Sequence, residues 1–205
     1  MDMRNYLAEM EHAARTTIEL VWTAHERMTA AETDLARLTA VTDDGYQRAE
    51  AFQQIEDPED FMMGVGIHWD TYFGPDKERH HAAQDLLEVR ATFDTQAFAR
   101  AAQSASLIQY AKQGISLVHR GLDACPPGRD INGQSLATVI WMARNQALHW
   151  EEGRFSESVT TSFELLKAAD LAFSDYSVRN MAFEIVSLLR WRDYVAYEAD
   201  MLSLS

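Results

Sequence analysis

The sequence predicts an all-α protein, and three observations support this class. Glycine and proline, the residues that most often interrupt helices, account for only 9 and 4 of the 205 residues. Good helix formers such as Ala, Leu, Glu, Gln, Arg and Met dominate the composition. Apolar residues recur at helical spacing, whereas alternating β-branched runs are almost absent. We therefore expect well over half of the residues to be helical and essentially none to be in a sheet.

In the N-terminal part, the apolar pattern predicts several helices separated by turns. Apolar positions from Tyr6 to Trp22 recur at helical spacing and predict a first helix over 2–38. The Asp-Asp-Gly sequence at 43–45 indicates a turn, and Gly74-Pro75 indicates a break. Asp57 fits the N-cap of a helix with Pro58 at its first position. Two more helices are predicted in this part, over 46–55 and 76–90.

The C-terminal part carries the strongest helical pattern. A helix over 95–120 is followed by a loop at 123–133 that contains two prolines and two glycines. Asn132 is a candidate cap for the next helix. The remaining helices are predicted over 134–150, 156–173 and 175–201. Four helices with short connections indicate a bundle, so we expect a single helical domain, 1–205, in which an N-terminal extension, 1–94, packs on a core, 95–205.

Charge and cysteine content restrict the possible partners. The formal net charge of -14 repels a phosphate backbone at long range, although a few arginines in a groove still act at short range. Cys125 is the single cysteine, so no internal disulfide is possible, which fits a reducing compartment. No signal peptide or membrane-spanning segment is evident. We expect a cytoplasmic protein with no membrane partner.

The helix predicted over 134–150 carries a short segment of residues that are candidates for catalysis. On a helix over 134–150, Asn145 and His149 are four residues apart and therefore share a face. Arg144 precedes them, and its long side chain can reach round to the same side. Leu136, Val139, Ile140, Ala143, Ala147 and Trp150 would form the buried stripe beside this face. An arginine, an amide and an imidazole thus gather near the end of one helix.

This segment resembles the Arg-Asn-x-x-x-His motif of the HEPN superfamily, with Arg144, Asn145 and His149 in the motif positions. The resemblance covers roughly residues 95–201 and implies a helical bundle of HEPN type with additional N-terminal helices. It also implies a metal-independent endoribonuclease in which two protomers of a homodimer form one composite site. His149 would act as base or acid, Arg144 would bind the phosphate and Asn145 would orient either group. No cofactor is expected, and the motif helix and the last helix would supply the dimer seam beside Trp141 and Leu148.

The resemblance also implies a possible toxin or defence role with an RNA substrate and an antitoxin protein as partner. Many such toxins carry a tyrosine two residues after the histidine, but Glu151 occupies that position here. Glu151 and Glu152 place negative charge close to the expected path of RNA. A non-catalytic dimerisation module that binds RNA or a nucleotide is the first alternative. An ordinary amphipathic helix, with Arg144 paired to a nearby acid and His149 hydrogen-bonded at the surface, also explains the motif.

A di-metal carboxylate bundle is the second alternative. Two Glu-x-x-His patterns occur, Glu9 with His12 and Glu78 with His81, and such pairs supply ligands to di-iron sites in four-helix bundles. Solvent-exposed helix faces are the preferred explanation of these residues, since Lys77 and Arg79 place positive charge beside the second pair. The C-terminal aromatic residues Phe183, Trp191, Tyr194 and Tyr197, near two arginines, are candidates for base stacking, but we favour a role in the core and the dimer seam.

Overall fold

The computed structural model describes all residues from Met1 to Ser205. The chain is 79% helical with almost no strand, which confirms the all-α prediction. None of the helices combines the length and the apolar character that crossing a bilayer requires. The α-helices are α1 (Met3–Gln53), α2 (Pro58–Thr71), α3 (Lys77–Thr95), α4 (Ala97–His119), α5 (Leu136–His149), α6 (Glu157–Ala169), α7 (Ala182–Leu188) and α8 (Tyr194–Leu202). Two-residue antiparallel strands, β1 (Asp130–Ile131) and β2 (Gln134–Ser135), form a small hairpin before α5.

The chain divides into two compact units, with boundaries after Thr23 and after Gln96. The first unit comprises Met1–Thr23 and Ala97–Ser205, and the second comprises Ala24–Gln96. The start of α1 belongs to the first unit because its apolar face is buried there. Tyr6 donates its hydroxyl proton to the Tyr110 carbonyl oxygen at 2.6 Å. Residues 1–23 are therefore part of the bundle core rather than of an extension.

Two tryptophans and one carboxylate organise the core of the first unit. Trp22 donates its indole N–H to the Trp191 carbonyl oxygen at 2.8 Å, and Trp191 donates its own to Asp200 Oδ2 at 2.8 Å. Arg129 holds the same carboxylate through two further bonds, Nε to Oδ1 at 2.7 Å and Nη2 to Oδ2 at 2.9 Å. The charge of Asp200, which is buried, is therefore fully compensated, as burial requires.

Gly45 does not end the first helix, so the turn predicted at 43–45 is wrong. Helix α1 continues without interruption to Gln53. A Cβ atom at Gly45 would overlap the side chain of Thr71, which lies on α2 in the same unit. The glycine is present because two helices approach closely at this point, and a close helix contact has the same sequence signature as a turn.

The break predicted at Gly74-Pro75 is a π-helical turn, Tyr72–Asp76, that connects α2 directly to α3. Single π turns tolerate a proline because the wider ring of the backbone relieves the clash that proline causes in a regular α-helix. Asp76 stabilises this turn, since its carboxylate accepts bonds from the Tyr46 hydroxyl and from Arg79 Nη2, both at 2.6 Å. The hydrogen bond from Tyr46 is the main reason why the pKa of Asp76 is lowered.

The single helix predicted over 175–201 is also wrong. The segment forms α7 and α8, separated by a bend at which Arg190 has a positive φ of 58°. Asp193 caps α8 by accepting the Ala196 N–H at 2.8 Å. The cap of α5 also differs from the prediction: Ser135, not Asn132, accepts the first free N–H, from Thr138 at 3.0 Å.

Candidate functional site

Helix α5 carries the Arg-Asn-x-x-x-His motif and is fixed by its buried face. Leu136, Val139, Ile140 and Ala143 are buried in the core of the first unit, as the helical spacing predicts. Gln146 is also fully buried, although it is polar. Its Nε2 donates to the Tyr176 and Arg179 carbonyl oxygens, both at 2.7 Å, and its Oε1 accepts the Met181 N–H at 3.1 Å. These three bonds fix the motif helix against the segment that precedes α7.

Arg144 is half-buried and is held by uncharged partners. Its Nε donates to Gln109 Oε1 on α4 at 2.8 Å, and its Nη1 donates to Asn145 Oδ1 at 3.2 Å. Neither bond uses Nη2. Since both acceptors are neutral amide oxygens, the side chain is positioned without losing its net positive charge. The pairing of Arg144 with an acid, expected for an ordinary amphipathic helix, does not occur.

A second cation, Lys112, lies beside Arg144. The Lys112 ammonium is 4.4 Å from the centroid of the Trp141 ring. Desolvation lowers the pKa of Lys112, and the positive charge of Arg144 lowers it further. No carboxylate lies within ion-pair distance of either cation. In a chain with a formal charge of -14, this pair is a local concentration of positive charge without a carboxylate partner.

His149 lies at the C-terminal end of α5 and is exposed. Its Nδ1 is 2.8 Å from Glu152 Oε1, and the two side chains are 46% and 59% exposed. Because an ionised carboxylate can only accept, Nδ1 carries the proton in the neutral imidazole and Nε2 keeps a free lone pair. Gly153 permits this arrangement, since its positive φ of 62° ends the short 3-10 turn Trp150–Glu152.

The structure thus brings Arg144 and Asn145 into hydrogen-bond contact, while His149 bonds to Glu152 instead. Arg144 and His149 are five positions apart, which corresponds to a rise of about 7.5 Å and a turn of roughly 140° around the helix axis. The arginine and the imidazole therefore leave α5 in different directions, and each makes its own hydrogen bonds. Glu152, which the sequence indicated only as a repulsive charge, contacts the motif histidine.

The residues of the di-metal alternative are not gathered. Glu9 and His12 lie on α1 in the first unit, whereas Glu78 and His81 lie on α3 in the second. No group of three or more His, Cys, Asp or Glu side chains is arranged to hold a metal ion anywhere in the chain. A carboxylate di-metal site needs more ligands than either pair supplies.

The C-terminal aromatic residues belong to the core of the first unit. Trp191 and Tyr197 are fully buried, and Tyr194 is nearly so. Their ring faces are therefore not available for base stacking, and α8 has little apolar surface left for a dimer seam, since Val195 is its only large exposed apolar residue. Burial also raises the pKa of Cys125 to about 11, which makes its thiol a poor nucleophile.

Three residues of the site were not predicted as such from the sequence: Gln109 and Lys112 on α4, and Glu152. Gln109 and Lys112 are three residues apart and so share one face of α4, but the sequence does not show that this face meets Arg144. Comparison of the chain with family models, with curated proteins and with solved structures finds no match.

Proposed function

We propose that this protein is a metal-independent endoribonuclease of HEPN type, with Arg144, Asn145 and His149 in its active site and a second copy of the chain completing that site. One observation carries the proposal: Arg144 is positioned by two neutral amides and has an uncompensated Lys112 beside it. Such an arrangement is suited to an anion, and the anion of RNA that undergoes reaction is the phosphodiester.

The remaining groups fit the cleavage of RNA by its own 2′-hydroxyl. The imidazole of His149 takes the hydroxyl proton at Nε2 as the oxygen attacks the adjacent phosphorus. Arg144 stabilises the charge that develops on the phosphate oxygens. The bond to the 5′-oxygen breaks, and this leaving oxygen receives a proton from a second acid, which in a homodimer is His149 of the other copy. The products are a 2′,3′-cyclic phosphate and a free 5′-hydroxyl.

Glu152 positions His149 for this step. Its carboxylate fixes the Nδ1–H tautomer and the orientation of the ring, as a carboxylate does for the histidine of a catalytic triad. Helix α5 leaves Leu148 53% exposed beside this histidine, and Leu117 on α4 is 57% exposed. These apolar side chains are available to the second copy that the composite site requires. The resemblance extends the proposal to a toxin or defence role with an antitoxin partner.

The decisive experiment measures cleavage of varied single-stranded RNAs with EDTA present throughout. Wild type should cleave and leave a cyclic phosphate, whereas Arg144→Ala and His149→Ala should lose activity by at least about a hundredfold. Arg37→Ala is the matched control, since it removes one exposed arginine that pairs only with Asp34. Absence of cleavage by wild type, or equal cleavage by the variants, would refute the ribonuclease.

Gln109→Glu tests the uncharged clamp directly. The substitution is nearly isosteric and keeps a carbonyl-type oxygen against Arg144 Nε, but it compensates the guanidinium charge. We expect a folded protein with RNA affinity and cleavage both reduced roughly tenfold or more. If wild type binds RNA through Lys112 and Arg144 and never cleaves it, the chain is the non-catalytic binding module instead. The observation that favours this alternative is that Arg144 and His149 leave α5 in different directions, whereas cleavage needs both groups at one phosphate.

A further inference from the structure

In the second unit, one side of the α2–π–α3 segment exposes large apolar side chains. Met62, Trp69 and Phe73 are 64%, 50% and 67% exposed. Their spacing of seven and four residues places them along one helical face. Glu59 precedes this row by three residues, Lys77 follows it by four, and Gly66 lies within it. The stripe is defined as these six residues: Glu59, Met62, Gly66, Trp69, Phe73 and Lys77.

Contacts in the structure confirm that the stripe is continuous across the π turn. The rings of Trp69 and Phe73 are stacked, with centroids 5.6 Å apart and planes 20° from parallel. Phe73 and Lys77 line the same open cavity of about 490 Å³. Phe61, Met63 and Tyr72 flank the stripe and are also exposed. An apolar surface of this size on a soluble unit is typical of an interaction site.

Gly66 is the feature that the unit itself does not explain. A glycine inside an exposed helix is destabilising relative to alanine, because it loses more backbone freedom on folding. Gly64 has a reason to be glycine, because a Cβ atom there would lie 2.7 Å from the Ala49 carbonyl oxygen. A Cβ atom at Gly66 would meet nothing within 4 Å. Gly66 therefore forms an open notch in the middle of an apolar stripe.

The stripe is complementary to a second copy of itself that runs in the opposite direction. A carboxylate, Glu59, lies at one end and an ammonium, Lys77, at the other. When two copies pair antiparallel, residues that lie at equal distances on either side of the centre of the stripe face each other. The centre lies between Gly66 and Trp69, so the facing pairs are Glu59 with Lys77, Met62 with Phe73, and Gly66 with Trp69 of the second copy. A parallel pair would instead place like charges together at both ends and Trp69 against Trp69.

We propose that a second copy of this chain docks antiparallel on the stripe, with the Trp69 indole of each copy seated in the Gly66 notch of the other. This two-fold contact is isologous and closes on itself. At 150–250 Å² for a whole aromatic side chain, the six exposed apolar residues offer roughly 600 Å² per copy, near the lower limit for a stable interface. The inference goes beyond the proposed function, since it concerns the second unit and its readout is mass rather than cleavage.

The experiment measures the mass of the full chain by sedimentation at about 1–50 µM, the range appropriate to an interface of this size. Wild type should associate through the stripe in addition to any dimer formed by the first unit, and Gly66→Leu should weaken this additional association at least about tenfold. The substitution fills the notch, yet leucine is a better helix former and a Cβ atom at this position meets nothing within 4 Å, so the melting temperature should not fall. If no second copy docks on the stripe, Gly66→Leu should leave the mass unchanged and raise the melting temperature.

Charge reversals test the antiparallel register. Glu59→Lys and Lys77→Glu should each weaken association, and the double variant should restore it, because reversing both charges recreates both contacts. Glu9→Lys, in the first unit, makes the same charge change as Glu59→Lys and should leave the mass unaltered. A monomeric wild type, an unchanged mass of Gly66→Leu, or a double variant weaker than both single variants would each overturn the proposal. Since no RNA is present, a failure here is distinct from a failure of cleavage.

Discussion

The buried amide of Gln146 provides a stability test with an internal control. Gln146→Ala removes three hydrogen bonds to backbone groups, two carbonyl oxygens and one N–H. Gln134 is another buried glutamine of the first unit, but its Nε2 makes one such bond, to the Ser162 carbonyl oxygen at 3.0 Å. The same substitution at both positions removes the same atoms, so the apolar and cavity contributions largely cancel.

The difference between the two variants therefore isolates two hydrogen bonds. Each is worth about 1 kcal/mol net, and up to ~3 kcal/mol where a backbone group is left buried and unpaired. Gln146→Ala should consequently lower the free energy of unfolding by about 2–6 kcal/mol more than Gln134→Ala. For a chain of this size, that difference lowers the melting temperature by at least about 4 °C. Calorimetry of both variants is the assay, and equal melting temperatures would refute the reasoning.

Three further predictions concern titration, thiol reactivity and metal content. Because burial lowers the pKa of Lys112, the unfolded chain binds the ammonium proton more tightly than the folded chain does. The free energy of unfolding of wild type should therefore rise with pH between the pKa of Lys112 in the folded chain and 10.5, its ordinary value. Lys112→Met should flatten that rise in a series of urea unfolding experiments. Burial raises the pKa of the Cys125 thiol from an ordinary 9.0 to about 11. At pH 8 the thiol should therefore react with iodoacetamide roughly a hundredfold more slowly in the native chain than in the urea-unfolded chain. Equal rates would contradict the burial of Cys125. Since no three ligating side chains gather, EDTA should not shift the melting temperature, and one or more transition-metal ions per chain by elemental analysis would contradict this.

The sequence predicts the helical class and the position of the strong helices because local periodicity determines both. Helix α4 was predicted within two residues at each end, and Pro58 begins α2 as its capping pattern indicated. The errors fall where glycine or proline has a tertiary role. Gly45 permits a close contact with Thr71, and Pro75 is accommodated in a π turn. In both cases the local sequence is the same as that of a chain-reversing turn, so the sequence alone does not distinguish them.

The motif could be found from the sequence because its members lie on one helix. Arg144 and Asn145 are adjacent in sequence and hydrogen-bonded in the structure. The clamp on Arg144 could not be found, because Gln109 lies 35 residues away on another helix and only packing brings it close. The contact of His149 with Glu152 spans three residues, but it depends on the short turn that ends at Gly153, which helical spacing does not predict.

Two arginines of the first unit show why the clamp on Arg144 matters. Arg129 forms a two-bond contact with the buried carboxylate of Asp200, which raises the pKa of Arg129 and leaves no net charge to attract a ligand. Arg144 is instead held by single bonds to the amide oxygens of two residues and keeps its charge next to a second cation. A carboxylate at the position of Gln109 would hold Arg144 more tightly, since charged hydrogen bonds are stronger. Stability alone therefore favours an acid at that position, whereas a neutral clamp keeps the positive charge that the proposed phosphate site requires of Arg144.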